Sequence, residues 1–460
     1  MSMSPRAIIA TAVAMTLAGP TARSIAQMPP EAAALGGDFR TAQAQSPYYA
    51  AQPNFMPGPA TAAPPGGAMM PGAPPPGYYS GPPLPSDVVG AGPGISRGPQ
   101  AYVGAEYLLF WVKNAPLPFP VATVGPAGGN AALGAPGTQL LYGNGDINFN
   151  SMSGVRAVAG VWLTNNESFG LEGNFFILPK KTGGSPPLQG TDLLPTLGRP
   201  FFDTASNIPN SLVVNQPGTF QGAVTTTGSL QLWGAELGPV WRAIDRGRWT
   251  LDTGAAFKFL SLDESLIVNS TSNALPGGVS ILQGRAFGSP STLTVIDDFR
   301  TTNNFYGGTL MLRSNVHVEA FTWSLAGKLG LGVMDSTLQV NGSSTVTTPT
   351  TPPLTSGGGL LASGANVGTY HTNQVSLIPE FYTNINVQLT SHIAVNLGYN
   401  LLFMNNVLRP GNQISTNINP NGVPSSPNFG ARLGPTGSTV PLATTDFWAQ
   451  GFNLGVVVGY

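Results

Sequence analysis

The chain has no cysteine and only three histidines, His317, His371 and His392, in 460 residues. That excludes a disulfide scaffold, a thiolate nucleophile and a cysteine-type zinc site. Charge is equally scarce. Charged residues make up 8% of the chain, with 19 basic and 20 acidic side chains and a formal net charge of -1, where an ordinary soluble domain carries roughly 25%. So few scattered basic residues make no basic stripe, which excludes nucleic acid as a partner and a polybasic attachment to a membrane surface. No apolar run reaches the ~18 residues a spanning helix needs. Catalytic signatures are missing too. There is no HExxH or EF-hand loop, and no Gly-rich phosphate loop opening a helix. The three histidines are not spaced as a metal cluster and complete no serine–histidine–acid set. The expectation is a chain that is not an enzyme and holds no cofactor or metal.

What is present begins with an export signal. Arg6 precedes an apolar run from Ala7 to Gly19, and Ser24-Ile25-Ala26 offers a small-residue cleavage site, so residues 1–26 read as a signal peptide. Residues 27–100 form a Pro/Gly-rich segment. Its stretch 46–100 alone holds 15 Pro and 10 Gly. Such a composition cannot offset its ordering entropy by burial, and it reads as an extended, disordered periplasmic spacer. A polyproline ligand for a partner is the alternative.

From residue 101 apolar residues alternate with small or polar ones, the period of a strand. Val103, Ala105, Tyr107, Leu109 and Trp111 form one stripe, and Phe321, Trp323, Leu325, Leu329, Leu331 and Val333 form another. Ten strands follow: 102–111, 153–162, 167–178, 229–242, 249–262, 305–316, 320–340, 375–389, 392–405 and 447–460. Long and short gaps alternate between them. An all-β, antiparallel up-and-down transmembrane β-barrel has this form, with short periplasmic turns and long external loops. Ten is the count, with twelve as the alternative if a long loop hides a hairpin. An even number leaves both ends of the domain, 101–460, on the periplasmic side. The rival is a soluble β-sandwich with one wet face, which would expose more charge and need fewer long strands.

The face opposite the apolar stripe carries Glu106, Glu172, Glu236, Asp252, Lys258, Lys328 and Glu380. Charges are costly against lipid and tolerable inside a barrel. These seven are the candidate lumen-lining residues. They line a water-filled route and bias its ion selectivity, or they pair and fill a narrow barrel. If they line a pore, neutralising Glu106, Glu236 and Glu380 shifts its reversal potential. Trp111, Tyr107, Trp162, Phe175, Phe176, Trp233, Trp241, Trp249, Trp323 and Trp448 are placed to form aromatic girdles at two interfaces. The acidic pairs Asp263-Glu264 and Asp297-Asp298 flank the third long loop, where they either hold a cation weakly or simply solvate strand ends. At the C-terminus Phe452, Leu454, Val456, Val458 and Tyr460 share one face. They are the candidate signal read by the barrel-assembly machinery.

Several ordered segments resemble one family. They start with Gly104-Ala105-Glu106-Tyr107-Leu108-Leu109-Phe110-Trp111 and continue through PGTQLLYG (136–143), SGVRAVAGVW (153–162) and FGLEGNFF (169–176). RPFFD (199–203), LWGAE (232–236), FLSLDESL (259–266), NNFYGG (303–308) and IPE (378–380) follow. GYNLLFMNNVLRPGNQI (398–414) and TDFWAQGFNLGV (445–456) complete the series. Over residues 101–460 the chain resembles the putative β-barrel porin family 7 of planctomycete outer-membrane proteins. The resemblance implies an outer-membrane β-barrel with a passive transport role and supplies no catalytic residues. The expected function is a porin of the cell outer membrane that lets small hydrophilic solutes or ions diffuse. The alternative is a structural or surface-interaction barrel with a filled lumen, its binding sites in the long loops. The expected partners are outer-membrane lipid, the assembly machinery and such solutes, with the oligomeric state open.

Overall fold

The computed structural model describes residues 100–164, 166–364, 366–431 and 440–460. The expected signal at 1–26 and the Pro/Gly-rich stretch as far as residue 99 lie outside the described residues.

Ten long strands carry the architecture. They are β1 (Ala101–Val112), β2 (Ser151–Trp162), β3 (Phe169–Gly184), β4 (Phe220–Asp245), β5 (Trp249–Ala274), β6 (Thr292–Val318), β7 (Phe321–Thr347), β8 (Gly368–Gln388), β9 (Ile393–Leu408) and β10 (Thr444–Gly459). Each pairs antiparallel with the next in sequence. The tenth pairs with the first, Ala105 opposite Val456. The fold is therefore barrel-like, a meander whose hydrogen-bonding path returns to its start. The short connections gather at one end, where Ala101 and Tyr460 also meet through the Tyr460 N–H donating to the Ala101 carbonyl at 2.8 Å.

The strands run well past their expected limits. β6 and β7 each have 27 residues, or about 90 Å at ~3.3 Å per residue, where a membrane-crossing strand needs roughly 9–11 residues. Along β7 the pattern inverts. Trp323, Leu325, Leu329, Leu331 and Val333 face outward and are exposed, while Lys328 points inward. Beyond Met334 the outward positions are Asp335, Thr337, Gln339 and Asn341, and the inward ones, Leu338 and Val340, are fully buried. One half of the ring is apolar outside and charged inside; the other half is polar outside and apolar inside, as in a water-soluble protein.

The long connections are built structure rather than plain loops. Strands Ala115–Gly125, Gln139–Ile147, Thr196–Asp203, Ile208–Asn215 and Asn417–Ile418 form a second sheet drawn from the first, second and fifth connections. This sheet caps the ring. Leu117, Val121, Ile147 and Phe149 from the cap are buried in one core with Leu262, Val268, Phe299 and Leu338 from the inner faces of the tall strands. At the upper end of β9 the chain parts from β8 but stays paired with β10 as far as Leu408 and Thr444. β8 and β9 pair only as far as Glu380 and Leu402. The backbone of Leu408 bonds instead to the Asn303 side chain of β6, at 2.7 and 2.9 Å.

Candidate functional site

The seven charged residues singled out in the sequence all lie on strands of the ring and face its interior. Glu236, Lys258, Lys328 and Glu380 meet one another, and Arg156, Arg242 and Arg313 draw in Glu106, Asp252 and Glu172. Nearest the short turns, Arg242 donates to Glu167 at 2.8 Å and to Asp252 at 3.1 Å. Arg313 bridges Asp252 and Glu172 at 3.3 and 2.8 Å, and the Tyr102 hydroxyl donates to Glu172 at 2.6 Å. In the next layer Lys258 sits between Glu236, at 2.6 Å, and Glu380. Lys328 reaches Glu236 at 2.7 Å, and the Tyr382 hydroxyl donates to Glu380. Arg156 donates to Glu106 and to Asn400, both at 3.0 Å.

Several of these contacts are chords across the ring. Lys328–Glu236 joins β7 to β4, Lys258–Glu380 joins β5 to β8, Arg313–Glu172 joins β6 to β3, and Arg156–Asn400 joins β2 to β9. Each spans three positions round a ring of ten. Five cations meet six carboxylates, so charge nearly cancels. Asp252 is 1% exposed and Lys258 3%. Nearer the turns, Arg242, Arg313 and Glu172 keep side-chain exposures of 16, 21 and 20%. Glycines on the inner wall make room for the packing. A Cβ on Gly160 would lie 2.4 Å from the Tyr102 ring, and one on Gly455 would lie 2.6 Å from the Asn396 side chain. Above the charged layers the interior turns apolar, with Leu108, Leu260, Phe305, Met334, Ile378 and Phe447 all buried.

Two buried ion pairs fix the cap to the wall. Arg409 donates to Glu264 of β5 at 2.9 and 2.6 Å, and to the carbonyls of Asn114 and Lys113 at 2.8 and 3.3 Å. Arg199 pairs with Asp297 of β6, whose other oxygen accepts the Leu361 and Ala362 N–H groups at 2.8 Å each. Asp297 thus ties the second and fourth connections to the wall, and Arg409 ties the first and fifth to it through Glu264. The expectation that the acidic pairs hold a cation or solvate strand ends is corrected here. Alternation splits them: Glu264 and Asp297 point inward and are spent on arginines, while Asp263 and Asp298 point outward and bond Thr302 and Arg300.

On the outer face, Phe175, Trp233, Phe259 and Tyr306 make a run of ring contacts across β3 to β6, with centroids 6.2, 4.8 and 5.1 Å apart. Trp241, Trp249 and Trp323 lie near the short turns. Trp249 and Phe259 are ten positions apart on β5, which at ~3.3 Å per residue and a ~40° tilt is a band of about 25 Å. Two expected girdle members are misplaced: Trp162 faces inward beneath Arg242, 4.8 Å from its ring centroid, and Phe176 is buried inside the ring. Both sit at inward positions of their strands. Phe452, Leu454 and Val456 face outward on β10, and Tyr460 is exposed at the end of the chain. Among the missed residues, Arg156 and Arg242 were detectable, since both share the even phase of the inward carboxylates. Arg313 was hidden because β6 runs in the opposite phase, with Leu310 and Leu312 outward. Arg199 and Arg409 carried no local signal.

A family model described as putative beta barrel porin-7 matches residues 102–460. No curated protein gives a match. Among solved structures, the outer membrane protease OmpT from Escherichia coli is similar at 11% identity and a TM-score of 0.37, covering 80% of this chain and 100% of that one. A FadL homologue of Pseudomonas aeruginosa is similar at 8% identity and a TM-score of 0.22, covering 79% and 93%. A loop-deletion mutant of OmpT, an outer membrane protein of Vibrio cholerae, is similar at 8% identity and a TM-score of 0.16, covering 78% and 97%. Likenesses this loose transfer neither an activity nor an open channel.

Proposed function

The chain belongs to the putative beta barrel porin-7 family of outer-membrane β-barrel proteins, and we propose that within it this member is a lumen-filled barrel with a structural and surface-interaction role. In this reading residues 101–460 form a closed transmembrane barrel, inserted by the barrel-assembly machinery through the aromatic-ended β10. The 25 Å apolar band sits in lipid, and the cap faces outward. The observation that carries the reading is the burial of Lys258 between Glu236 and Glu380, in a layer of ion pairs that crosses the interior from wall to wall. Such a lattice holds strands in register, and with its charge nearly cancelled it offers no field to draw ions in.

The family's description names a porin and favours a second reading, passive diffusion of small hydrophilic solutes or ions through the lumen. That route requires the Lys258 and Arg313 bridges to part and the apolar layer above them to open. Swelling of liposomes carrying the purified full-length protein separates the two. The filled-barrel reading expects no faster swelling in arabinose or glycine than in protein-free liposomes. Rapid, size-graded swelling would overturn it and leave the diffusion reading.

A further inference from the structure

We infer that the cap carries a binding cup for a single neutral sugar residue, the end of a glycan. The proposal deepens the surface-interaction reading and rests on it. The cup lies where strands Thr196–Asp203 and Ile208–Asn215 meet the segment 420–428, and it has a volume of about 130 Å³. That is room for about four waters at ~30 Å³ each. It is too small for a nucleotide or a lipid, which need pockets of roughly 300 Å³ and more. A pyranose ring fits with part of its rim outside.

The lining sets the chemistry. Asp203, Asn210 and Ser425 offer a carboxylate, an amide and a hydroxyl, and Phe201 and Pro420 offer apolar faces. Ser425 is 6% exposed, and its hydroxyl has no hydrogen-bond partner among the described residues. A buried hydroxyl left so is costly unless something in the cup meets it. One Asp203 oxygen accepts the Ala205 and Ser206 N–H groups at 2.8 and 3.2 Å, which fixes the carboxylate at the cup's edge. Among the described residues no lysine or arginine lines the cup, so phosphate or a carboxylated sugar would meet Asp203 uncompensated. A neutral sugar satisfies every wall. Its hydroxyls donate to the Asp203 carboxylate and bond Ser425 and Asn210, and its C–H face rests on Phe201 and Pro420.

The test is saturation-transfer NMR on the full-length protein in detergent micelles, with D-glucose, D-galactose, D-mannose and, as the anionic control, N-acetylneuraminic acid. The expected result is saturable transfer from at least one neutral hexose, weakened at least tenfold by Ser425→Leu, which fills the cup, and by Asp203→Asn. Because Asp203→Asn also loosens its own turn, Ser425→Leu decides, with protease resistance of the cap as the check that it still folds. No saturable binding by any neutral hexose overturns the proposal. So does equal binding by the Ser425→Leu variant, or tighter binding of the anionic sugar. A wild-type protein that binds no sugar yet leaves liposomes sealed would end this inference and leave the filled-barrel reading standing. Leaky liposomes would end that reading instead.

Discussion

Arg409 and Glu264 stand 145 residues apart in sequence and meet inside the ring through two hydrogen bonds, with Arg409 0% and Glu264 3% exposed. Through its remaining donors the same guanidinium holds the carbonyls of Lys113 and Asn114. One arginine therefore joins the first connection, the fifth connection and the wall. Removing one partner of a buried pair strands the other charge, at about 3–5 kcal/mol. Arg409→Met and Glu264→Gln should each speed hydrogen exchange through 406–414 and the second sheet, and leave the lower wall protected. Exchange unchanged in the cap would show that the clamp does not hold it.

Lys258 is the cation shared by two carboxylates. Lys258→Met leaves Glu236 with Lys328 and Glu380 with the Tyr382 hydroxyl, and the interior then holds four cations against six carboxylates. The variant should unfold at a lower temperature in detergent and admit flickering currents that prefer cations. A sealed variant of wild-type stability would mean that apolar packing alone fills the lumen.

Acid should loosen the cap at one turn. Burial pushes the Asp203 carboxyl up, but hydrogen bonds from Ser206, Ala205 and Asn210 outweigh it and hold the group below its ordinary value. A depressed carboxyl stabilises the fold above the unfolded value of about 3.9 and loses that contribution as pH falls through the folded value. The cap's protease resistance should therefore be flat from neutral pH to about pH 4 and decline below it. Asp203→Asn should remove the part of that decline that this turn causes.

Tyr460 is exposed at the lower edge of the apolar band, beside Ala101. Tyr460→Asp places a charge where an aromatic residue ends the last strand. It should lower the amount of protein recovered from the outer-membrane fraction and the share that migrates faster before boiling than after. Normal levels would remove Tyr460 from any assembly signal.

The lower half of the ring was legible because lipid and lumen impose opposite demands on alternate residues. Lys328 between Leu325 and Leu329 states which face is which. The upper half was not legible, because its alternation is that of a soluble sheet. Asp263 and Glu264 read there as the start of a loop just past Leu262, although Leu262 and Glu264 face a core and Asp263 faces outward. Trp162 and Phe176 were misread because aromatic character alone does not say which face a strand position takes. The cap stayed hidden for a different reason. Arg199 and Arg409 find their partners 98 and 145 residues away, and no local pattern encodes a contact of that range.

The most direct test of the account is electrical. Purified full-length protein is inserted into a planar bilayer and its current recorded at fixed voltage in 1 M KCl. The account predicts a silent baseline for the wild type, with steps appearing only when the Lys258 bridge is broken. Steady, ohmic steps from the wild type would contradict it, and the charged layers would then line an open route.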